Sequence, residues 1–300
     1  MKVPMKVDKI PVTVDGRTLE LSNLDKTLYP AFTKGEVIDY YTRIAPVLLP
    51  HVADRPLTRI RFPNGVSSSG FFEKNRPAGT PAWVRTENLP SPGSTMSRDR
   101  IDYLVVEERA TLVWLANLAA LELHTPQWKI DKQPDLLVVD LDPGPPAGLA
   151  ECCEAALLLR ERLAADGLTA LPKTSGKKGM QLYCAVAGTQ TADEVSAYAK
   201  RIAEELEHAH PKLILSRMAK TLRPRKVFID WSQNSSAKTT ISAYSLRAQP
   251  TPTVSTPLTW DEVAAGTAKA EDFTAPVVLE RVVALGDLLA PLLKKGPPVP

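Results

Sequence analysis

Two aspartates separated by one residue are the clearest sign of chemistry in this sequence. Asp140 and Asp142 follow the apolar run 136–139 and precede Pro143-Gly144, a pattern that predicts a buried strand ended by a turn. Side chains two residues apart on a strand leave from the same face, roughly 7 Å apart along it. Carboxylates this close raise each other's pKa unless a cation lies between them, and Mg²⁺ prefers such oxygen ligands. The pattern predicts a divalent metal site, although a D-x-D pair can also serve only to solubilise a strand end.

A third acid and two basic segments could complete this site. Asp230 ends another apolar strand, and residues 172–179 form a Gly-rich basic loop that could cradle phosphates with backbone N–H groups. The loop lacks the Walker A spacing, and residues 220–226 are strongly basic. Three carboxylates and several cations suit two metal ions and a triphosphate, so composition and spacing predict a nucleotidyl- or phosphoryl-transfer enzyme. The side chains that could bind the triphosphate are Ser175, Lys178, Arg223 and Arg247.

The surrounding sequence predicts the elements that position these residues. Alternation around Asp15-Gly16 predicts a β-hairpin over residues 12–21, and capping boxes at Thr33 and Thr191 predict helix starts. Arg59 and Arg61 suggest a basic strand edge. Loops are predicted over residues 65–75 and 90–100, strands over 180–187 and 227–231, and helices over 33–49, 109–121, 148–165, 191–208, 260–264 and 277–289.

Three other features each allow two interpretations from the residues alone. Lys34 at a helix start suggests an anion site, because the first turn of a helix offers N–H groups and partial positive charge, but it also suits an ordinary solvated lysine. Phe71 and Phe72 could stack on bases or anchor a loop. His124 could be functional or a hydrogen-bonded core histidine.

Bulk composition is that of an ordinary globular protein. The chain has 300 residues with a formal net charge of +3, which favours no class of partner. Its three cysteines form no disulfide framework or zinc knuckle. No signal-peptide core and no run of about 18 apolar residues occurs, so we expect a cytoplasmic protein without membrane association.

Six co-linear motifs make residues 12–290 resemble the polymerase domain of bacterial ligase D, a primase-type polymerase of non-homologous end joining, in a mycobacterial or actinobacterial version. The motifs are Leu24-Asp25-Lys26-Thr27-Leu28-Tyr29-Pro30, Phe71-Phe72-Glu73-Lys74, Leu123-His124-Thr125-Pro126-Gln127-Trp128, Asp140-Leu141-Asp142-Pro143-Gly144, Thr174-Ser175-Gly176-Lys177-Lys178-Gly179 and Val227-Phe228-Ile229-Asp230-Trp231-Ser232-Gln233-Asn234.

The resemblance implies a role for each matching residue. Two divalent ions, Mn²⁺ or Mg²⁺, would bind the catalytic residues Asp140, Asp142 and Asp230. Nucleotide contacts would come from His124, Thr174, Ser175, Lys178, Arg223, Gln233 and Arg247. Lys26 and Lys34 would hold a 5′-phosphate beyond a gap or break, and Phe71 and Phe72 would pack against the template. The implied partners are gapped or broken DNA, NTPs and dNTPs with ribonucleotides preferred, a DNA ligase and an end-binding protein, in a nucleoid-associated setting.

The implied fold is α+β: an archaeo-eukaryotic primase-polymerase core of mixed or antiparallel sheets flanked by helices. Residues 1–300 would form one catalytic domain, with a groove between an N-terminal lobe (about 1–130) and a C-terminal metal-binding lobe (about 131–295). The sequence contains no K-x-D-G ligase motif and no His-rich nuclease module, so we expect a stand-alone polymerase or an excised domain.

Other functions remain open at this stage. A primase-like activity uses the same residues, and a non-catalytic module could bridge DNA ends with Lys26, Lys34 and the aromatic residues. A haloacid-dehalogenase-type phosphatase also uses a strand ending in D-x-D, with Asp140 as the nucleophile. In that class the motif usually lies near the N-terminus and is not followed by a proline such as Pro143.

Overall fold

The computed structural model describes residues 9–91 and 99–300. The strands are β1 (Lys9–Val14), β2 (Arg17–Ser22), β3 (Thr27–Tyr29), β4 (Phe32–Thr33), β5 (Pro56–Arg61), β6 (Phe71–Glu73), β7 (Thr86–Pro90), β8 (Arg100–Val105), β9 (Ala120–Thr125), β10 (Leu136–Pro143), β11 (Leu171–Thr174), β12 (Met180–Ala185), β13 (Ile214–Leu215), β14 (Val227–Asp230) and β15 (Thr240–Ile241). The α-helices are α1 (Lys34–Val52), α2 (Arg109–Asn117), α3 (Leu149–Ala165), α4 (Ala192–Ala209), α5 (Trp260–Ala265) and α6 (Ala275–Leu285).

A five-stranded mixed sheet carries the three acids. Its strand order is β11-β12-β10-β14-β13, in which the β13–β14 pair is parallel and the other pairs are antiparallel. The strand β10 lies at its centre and is apolar up to the first acid, because its side chains pack against α3 and α4. The strand predicted from the D-x-D motif is therefore confirmed as the middle of a sheet.

A six-stranded antiparallel sheet supports the remaining predicted residues. Its order is β15-β9-β5-β8-β7, and β6 also pairs with β5. The prediction of a basic strand edge is wrong, because β5 pairs with β6, β8 and β9. Arg59 is 0% exposed and lies 2.6 Å from Glu73, which also contacts Arg61. The two arginines thus share the carboxylate of Glu73 and do not form a free basic edge.

The predicted helices form, but two of them end early, and the helix predicted over residues 277–289 is α6, which ends at Leu285. The capping boxes at Thr33 and Thr191 begin α1 and α4, and Gly148 precedes α3. The helix predicted over residues 109–121 ends at Asn117. Ala119 then takes a φ of 57°, a left-handed conformation that ends the helix and allows β9 to begin at residue 120.

Two predicted loops also need correction. Residues 71–73 of the loop predicted over 65–75 form β6 and pair with β5. The loop predicted over residues 90–100 begins at the end of β7 and ends at the start of β8; its residues 92–98 lie outside the described residues.

The two large sheets share one hydrophobic core. Buried side chains from both sheets and from the helices around them form one cluster, and β15, from the second half of the chain, pairs with β9. The predicted α+β fold of mixed and antiparallel sheets flanked by helices is confirmed. The lobe boundary near residue 130 stays a prediction. Across residues 9–91 and 99–300, no helix has both the length and the apolarity to cross a bilayer.

Candidate active site

The three predicted catalytic acids lie together at one end of the five-stranded sheet. Asp140 and Asp142 share a face of β10, and Asp140 is directly opposite Asp230 on β14. Directly opposite residues on antiparallel strands have Cβ atoms only about 5 Å apart. The register therefore brings Asp230, which is distant in the sequence, onto the face that carries Asp140 and Asp142.

Electrostatics distinguish Asp140 from an ordinary surface acid. Burial and the neighbouring charges of Asp142 and Asp230 raise the pKa of Asp140 to about 7, although a hydrogen bond from Gln181 opposes the rise. A carboxyl group in such surroundings ionises more readily when a cation is near. Its environment thus favours a bound positive charge.

Each of the three acids has a hydrogen-bonding or charged partner in the protein. Gln181 Nε2 donates to Asp140 at 2.9 Å, the Ser232 backbone N–H donates to Asp230 at 3.1 Å, and Arg223 Nη1 lies 3.8 Å from Asp142. Within the described ranges, no group of three or more His, Cys, Asp or Glu side chains is already gathered as a metal site. The donor chemistry and the shared face fit hard divalent ions, which would replace some of these partners.

The Gly-rich loop after β11 packs directly onto the acid strand. A Cβ atom at Gly179 would lie 2.4 Å from the carbonyl oxygen of Leu141, so only glycine permits this approach. Lys178 Nζ donates to the carbonyl of Pro143 at 3.1 Å. Ser175 accepts hydrogen bonds from backbone N–H groups of Lys177 and Gly179. The structure thus brings Ser175 and Lys178 beside the acids.

The basic segment 220–226 also lies beside the acids. It directly precedes β14, on the side of β10 away from the Gly-rich loop. Gly144 donates its N–H to Lys226 at 2.8 Å, and Arg225 donates its N–H to Gly144 at 3.0 Å. The guanidinium of Arg223 lies 3.8 Å from the centre of the Phe228 ring, close to Asp142. This contact holds the predicted nucleotide ligand Arg223 beside the acids.

Gln233 reaches the acids from the turn that follows β14. Its Nε2 donates to Asp230 at 3.1 Å. The turn begins directly after Asp230, whose own side chain accepts the backbone N–H of Ser232. The predicted nucleotide contact Gln233 therefore lies beside the acids.

Thr174, one of the predicted nucleotide contacts, is buried in the structure. Its side chain is 0% exposed, and its Oγ1 accepts from the N–H groups of Gly176 and Thr256. A hydroxyl engaged in this way helps to hold the shape of the loop. A direct contact between Thr174 and the nucleotide stays a prediction.

His124 and Arg247 are joined by a residue that the sequence did not single out. Glu122 lies 3.0 Å from His124 Nε2 and 3.4 Å from Arg247 Nη1. It precedes His124 by two residues on β9, so both side chains leave from the same face. The i, i+2 spacing is visible in the sequence, but the contact of Glu122 with Arg247, which comes from a distant loop, could not be anticipated.

The predicted template-stacking residues are next to this cluster. Phe72 on β6 is 70% exposed and its ring centre lies 6.4 Å from that of His124. Phe71 is 44% exposed, and Arg61 lies 5.3 Å from its ring centre. Two large aromatic side chains exposed beside a polar site are available to a partner with flat faces.

Lys26 and Lys34 lie close together, but not for the reason the sequence suggested. The first N–H groups of α1 are not free, because those of Lys34 and Gly35 donate to the carbonyls of Lys26 and Leu24 and that of Glu36 donates to Thr33. Burial, with the nearby charge of Lys26, lowers the pKa of Lys34 to about 8. Any anion here would be attracted by the two ammonium groups and not by free helix amides.

Lys238 is a further residue at the site that the sequence did not indicate. Its Nζ donates to Ser232 and lies 3.6 Å from Asp230. Lys238 lies in a polar loop of Ser, Thr, Asn and Gln residues, so its sequence context did not separate it from a solvated lysine.

Comparisons with known proteins agree with this geometry. Residues 33–289 match the family model described as LigD, primase-polymerase domain. The chain is 43% identical over 285 residues to a multifunctional non-homologous end joining protein LigD of Mycolicibacterium smegmatis, covering 93% of this chain and 36% of that protein. It is 34% identical over 268 residues to the bifunctional LigD of Bacillus subtilis, covering 88% of this chain and 42% of that protein. The chain thus spans well under half the length of these curated relatives.

The fold has a close counterpart among solved structures. The polymerase domain from Mycobacterium tuberculosis ligase D, in complex with DNA, matches with a TM-score of 0.87 at 40% identity. The match covers 93% of this chain and 99% of that one. The phosphatase alternative is set aside by these matches. The chain belongs to the LigD primase-polymerase domain family, a family of DNA-directed nucleotidyltransferases that depend on divalent metal ions.

Proposed function

We propose that this chain extends a DNA primer from its 3′-OH at short gaps or broken ends that carry a 5′-phosphate. It would use two divalent ions, Mn²⁺ or Mg²⁺, and prefer ribonucleotides to deoxyribonucleotides. The observation that carries the proposal is the position of Asp140 directly opposite Asp230, with Asp142 on the same face. Three carboxylates on one face are the ligands that a pair of divalent ions requires.

Each residue has a distinct part in this chemistry. Bound metal ions would supply activation of the attacking hydroxyl and stabilisation of the leaving pyrophosphate. Lys178 and Arg223, on either side of the acids, would neutralise the triphosphate, and Ser175 would donate a hydrogen bond from its hydroxyl to a phosphate oxygen. Arg247 and His124, held by Glu122, would orient the sugar and phosphates.

The DNA would be held by residues outside the metal site. Phe72 and Phe71 would stack against the template beside His124. Lys26 and Lys34 would bind the 5′-phosphate with two ammonium groups. The matched Mycobacterium tuberculosis domain is in complex with DNA, which supports DNA as the partner of this chain.

A role in end joining is supported by the relatives. The curated LigD proteins are named for non-homologous end joining, and they are much longer than this chain. We therefore propose a DNA ligase activity and an end-binding protein as functional partners of this chain in the cell.

The catalytic assignment is tested by removing one acid at a time. Asp140→Ala, Asp142→Ala and Asp230→Ala should each abolish nucleotide addition to a gapped duplex, because each removes a metal ligand. Binding of the duplex should persist, since basic residues elsewhere contact the phosphates. Asp193→Ala, an exposed acid in the first turn of α4, is the matched control. Primer extension by Asp140→Ala would show that the assignment is wrong.

The 5′-phosphate site is tested separately. Lys26→Ala combined with Lys34→Ala should remove the preference for a phosphorylated gap and leave extension of a simple recessed primer, at reduced affinity. Equal binding of phosphorylated and unphosphorylated gaps by the unmodified protein would contradict this part of the proposal. If the unmodified protein bound both gaps equally and still extended primers, its function would be priming or simple primer extension.

A further inference from the structure

One row of side chains crosses four strands of the five-stranded sheet and ends at the catalytic acids. The register places Lys173 of β11 opposite Gln181 of β12, Gln181 opposite Asp140 of β10, and Asp140 opposite Asp230 of β14. Directly opposite residues project on the same side of a sheet. The row therefore runs from a cation through an amide to two carboxylates.

Lys173 is a buried charge with a full set of partners. It is 1% exposed, and its Nζ donates to Gln181 Oε1, to the carbonyl of Ile241 at 3.1 Å and to Ser255 Oγ at 2.6 Å. An ammonium group has three donors and no acceptor, so these acceptors match it completely. Burial, together with the charge of Arg247, lowers the pKa of Lys173 well below its ordinary value, and the charge of Asp140 opposes this shift only in part. The acceptor set favours the charged form, because a neutral amine would turn a lone pair toward one of these oxygens.

The lysine dictates which way the amide of Gln181 points. Because Lys173 can only donate, the oxygen of the Gln181 amide must face it, and the NH₂ group must face the other way. That NH₂ group donates to Asp140 Oδ1 at 2.9 Å. The orientation of Gln181, and with it one oxygen of Asp140, is thus fixed by a residue that does not touch the acid.

The same lysine connects the acid row to the rest of the site. Ile241 belongs to β15 of the six-stranded sheet. Ser255 Oγ donates to the carbonyl of Thr174 at 2.9 Å, where the Gly-rich loop begins. A single ammonium group therefore links Asp140, the second sheet and the loop that carries Ser175 and Lys178.

We propose that Lys173 is a positioning residue for nucleotidyl transfer, which fixes the Asp140 carboxylate through Gln181 in the orientation that the metal site needs. The proposal rests on the proposed function, because it assumes that Asp140 is a metal ligand. Its role differs from that of Lys178 and Arg223, which would contact the nucleotide. A lysine that only stabilised the fold would leave metal binding and turnover unchanged in folded variants.

The sign of the change in Mn²⁺ affinity distinguishes a positioning role of Lys173 from a purely electrostatic effect of its charge. Removing a positive charge near a cation site should by itself tighten Mn²⁺ binding. If Lys173 positions Asp140, Lys173→Met should instead weaken Mn²⁺ binding at least about tenfold, because the ligand geometry is lost. Gln181→Leu keeps the lysine and breaks the link to Asp140, so it should produce the same loss.

The experiment uses the full chain and titrates MnCl₂ by calorimetry, with steady-state nucleotide addition and circular dichroism alongside. We expect Lys173→Met and Gln181→Leu each to lower Mn²⁺ affinity and kcat about tenfold or more, with nucleotide KM changed less than kcat. The double variant should be no worse than either single one, because both break the same link. Lys212→Met, at an exposed lysine, is the control and should behave like the unmodified protein.

The outcomes distinguish this inference from the function on which it rests. If Asp140→Ala kept full activity, the proposed function would fail. If Asp140→Ala were inactive but folded Lys173→Met and Gln181→Leu bound Mn²⁺ and turned over within about twofold of the unmodified protein, only the positioning role would be overturned. Tighter Mn²⁺ binding by Lys173→Met would likewise overturn it. If Lys173→Met failed to fold, Gln181→Leu alone would decide.

Discussion

Glu122 holds His124 in one tautomer. Its carboxylate is 3% exposed, lies 3.0 Å from His124 Nε2 and accepts the backbone N–H of Ala248 at 3.0 Å. Burial alone would raise the pKa of Glu122, but the hydrogen bond from His124 and the charge of Arg247 outweigh it and lower the pKa to about 2. Burial also lowers the pKa of His124 more than Glu122 raises it. A neutral imidazole beside an ionised carboxylate donates through Nε2 and keeps Nδ1 as an acceptor.

The first prediction concerns this pair. Glu122→Gln should raise the KM for the incoming nucleotide about tenfold, because a neutral amide binds the imidazole and the Arg247 guanidinium more weakly than a carboxylate does. Steady-state incorporation at a gap measures the change. Glu204→Gln removes an exposed acid that pairs with Lys200 on the surface of α4 and should have no effect, since such pairs contribute little. An unchanged KM in Glu122→Gln would show that Glu122 does not position these groups.

The second prediction is that recognition of a 5′-phosphate weakens as the pH rises. Lys34 has a pKa of about 8, so it is charged at about pH 7 and largely neutral at about pH 9. The phosphate is already a dianion over this range, so a fall in its recognition must come from the protein. We expect the ratio of Kd values for unphosphorylated and phosphorylated gaps to be largest near pH 7. A ratio that stays constant or grows toward pH 9 would contradict the role of Lys34.

Lys34→Ala is the matched variant for this measurement. Near pH 7 it should show a smaller ratio than the unmodified protein, with little dependence on pH, because the titrating group has been removed. Toward pH 9 the two ratios should converge. Lys269→Ala alters a lysine on the opposite half of the chain, beside the short helix at residues 270–272, and should keep the full pH dependence.

Local sequence predicted most helices and the strand that carries Asp140 and Asp142, but it could not predict which strands and side chains pair across the chain. The acids of β10 follow from a short apolar run and a turn, and the capping box of α1 is entirely local. By contrast, the end of α2 depends on the backbone of Ala119, for which no glycine or proline gives a signal. Local propensity carries no information about that conformation.

The same reason explains the missed site residues. The sequence pattern assigns Lys173 to a Gly-rich loop, whereas it lies on β11 with its ammonium group buried between two sheets. Gln181 is important only because the register sets it between Lys173 and Asp140. Register is fixed by the packing of the whole sheet, so a single sequence does not reveal it.

The third prediction concerns the contact between the acid strand and the basic segment. A Cβ atom at Gly144 would lie 2.0 Å from the carbonyl oxygen of Arg223, and the backbone there cannot yield without moving Arg223 away from Asp142. We expect Gly144→Ala to lower the free energy of unfolding by about 2–4 kcal/mol and to reduce nucleotide addition strongly. Denaturant unfolding and primer extension measure the two effects.

Gly148→Ala is the control for Gly144→Ala. The nearest atom to its added Cβ would be Glu151 Oε2 at 3.9 Å, an ordinary contact at the start of α3. Its unfolding free energy should change by less than about 1 kcal/mol. If Gly144→Ala were as stable and as active as Gly148→Ala, the close approach of the two segments would not matter for the site.

The last prediction is that ribonucleotides are incorporated better than deoxyribonucleotides because of His124. Its Nδ1 is an acceptor, since Nε2 donates to Glu122, and the imidazole lies beside the exposed ring of Phe72. A ribose 2′-OH can donate to such an acceptor, whereas a deoxyribose leaves it without a partner. An unmet hydrogen bond in a partly buried site costs about 1–3 kcal/mol, which corresponds to roughly ten- to a hundredfold in kcat/KM.

A comparison of one rNTP with its dNTP opposite the same template base, in Mn²⁺, measures this preference directly. His124→Leu should bring the ratio of kcat/KM values toward one by lowering rNTP incorporation much more than dNTP incorporation, because only the ribose loses a partner. Asp193→Ala, far from the nucleotide in the proposed site, should keep the ratio of the unmodified protein. If His124 and Ser175 contacted only phosphates, the unmodified protein would use both nucleotides equally, and a ratio near one would reject the sugar contact.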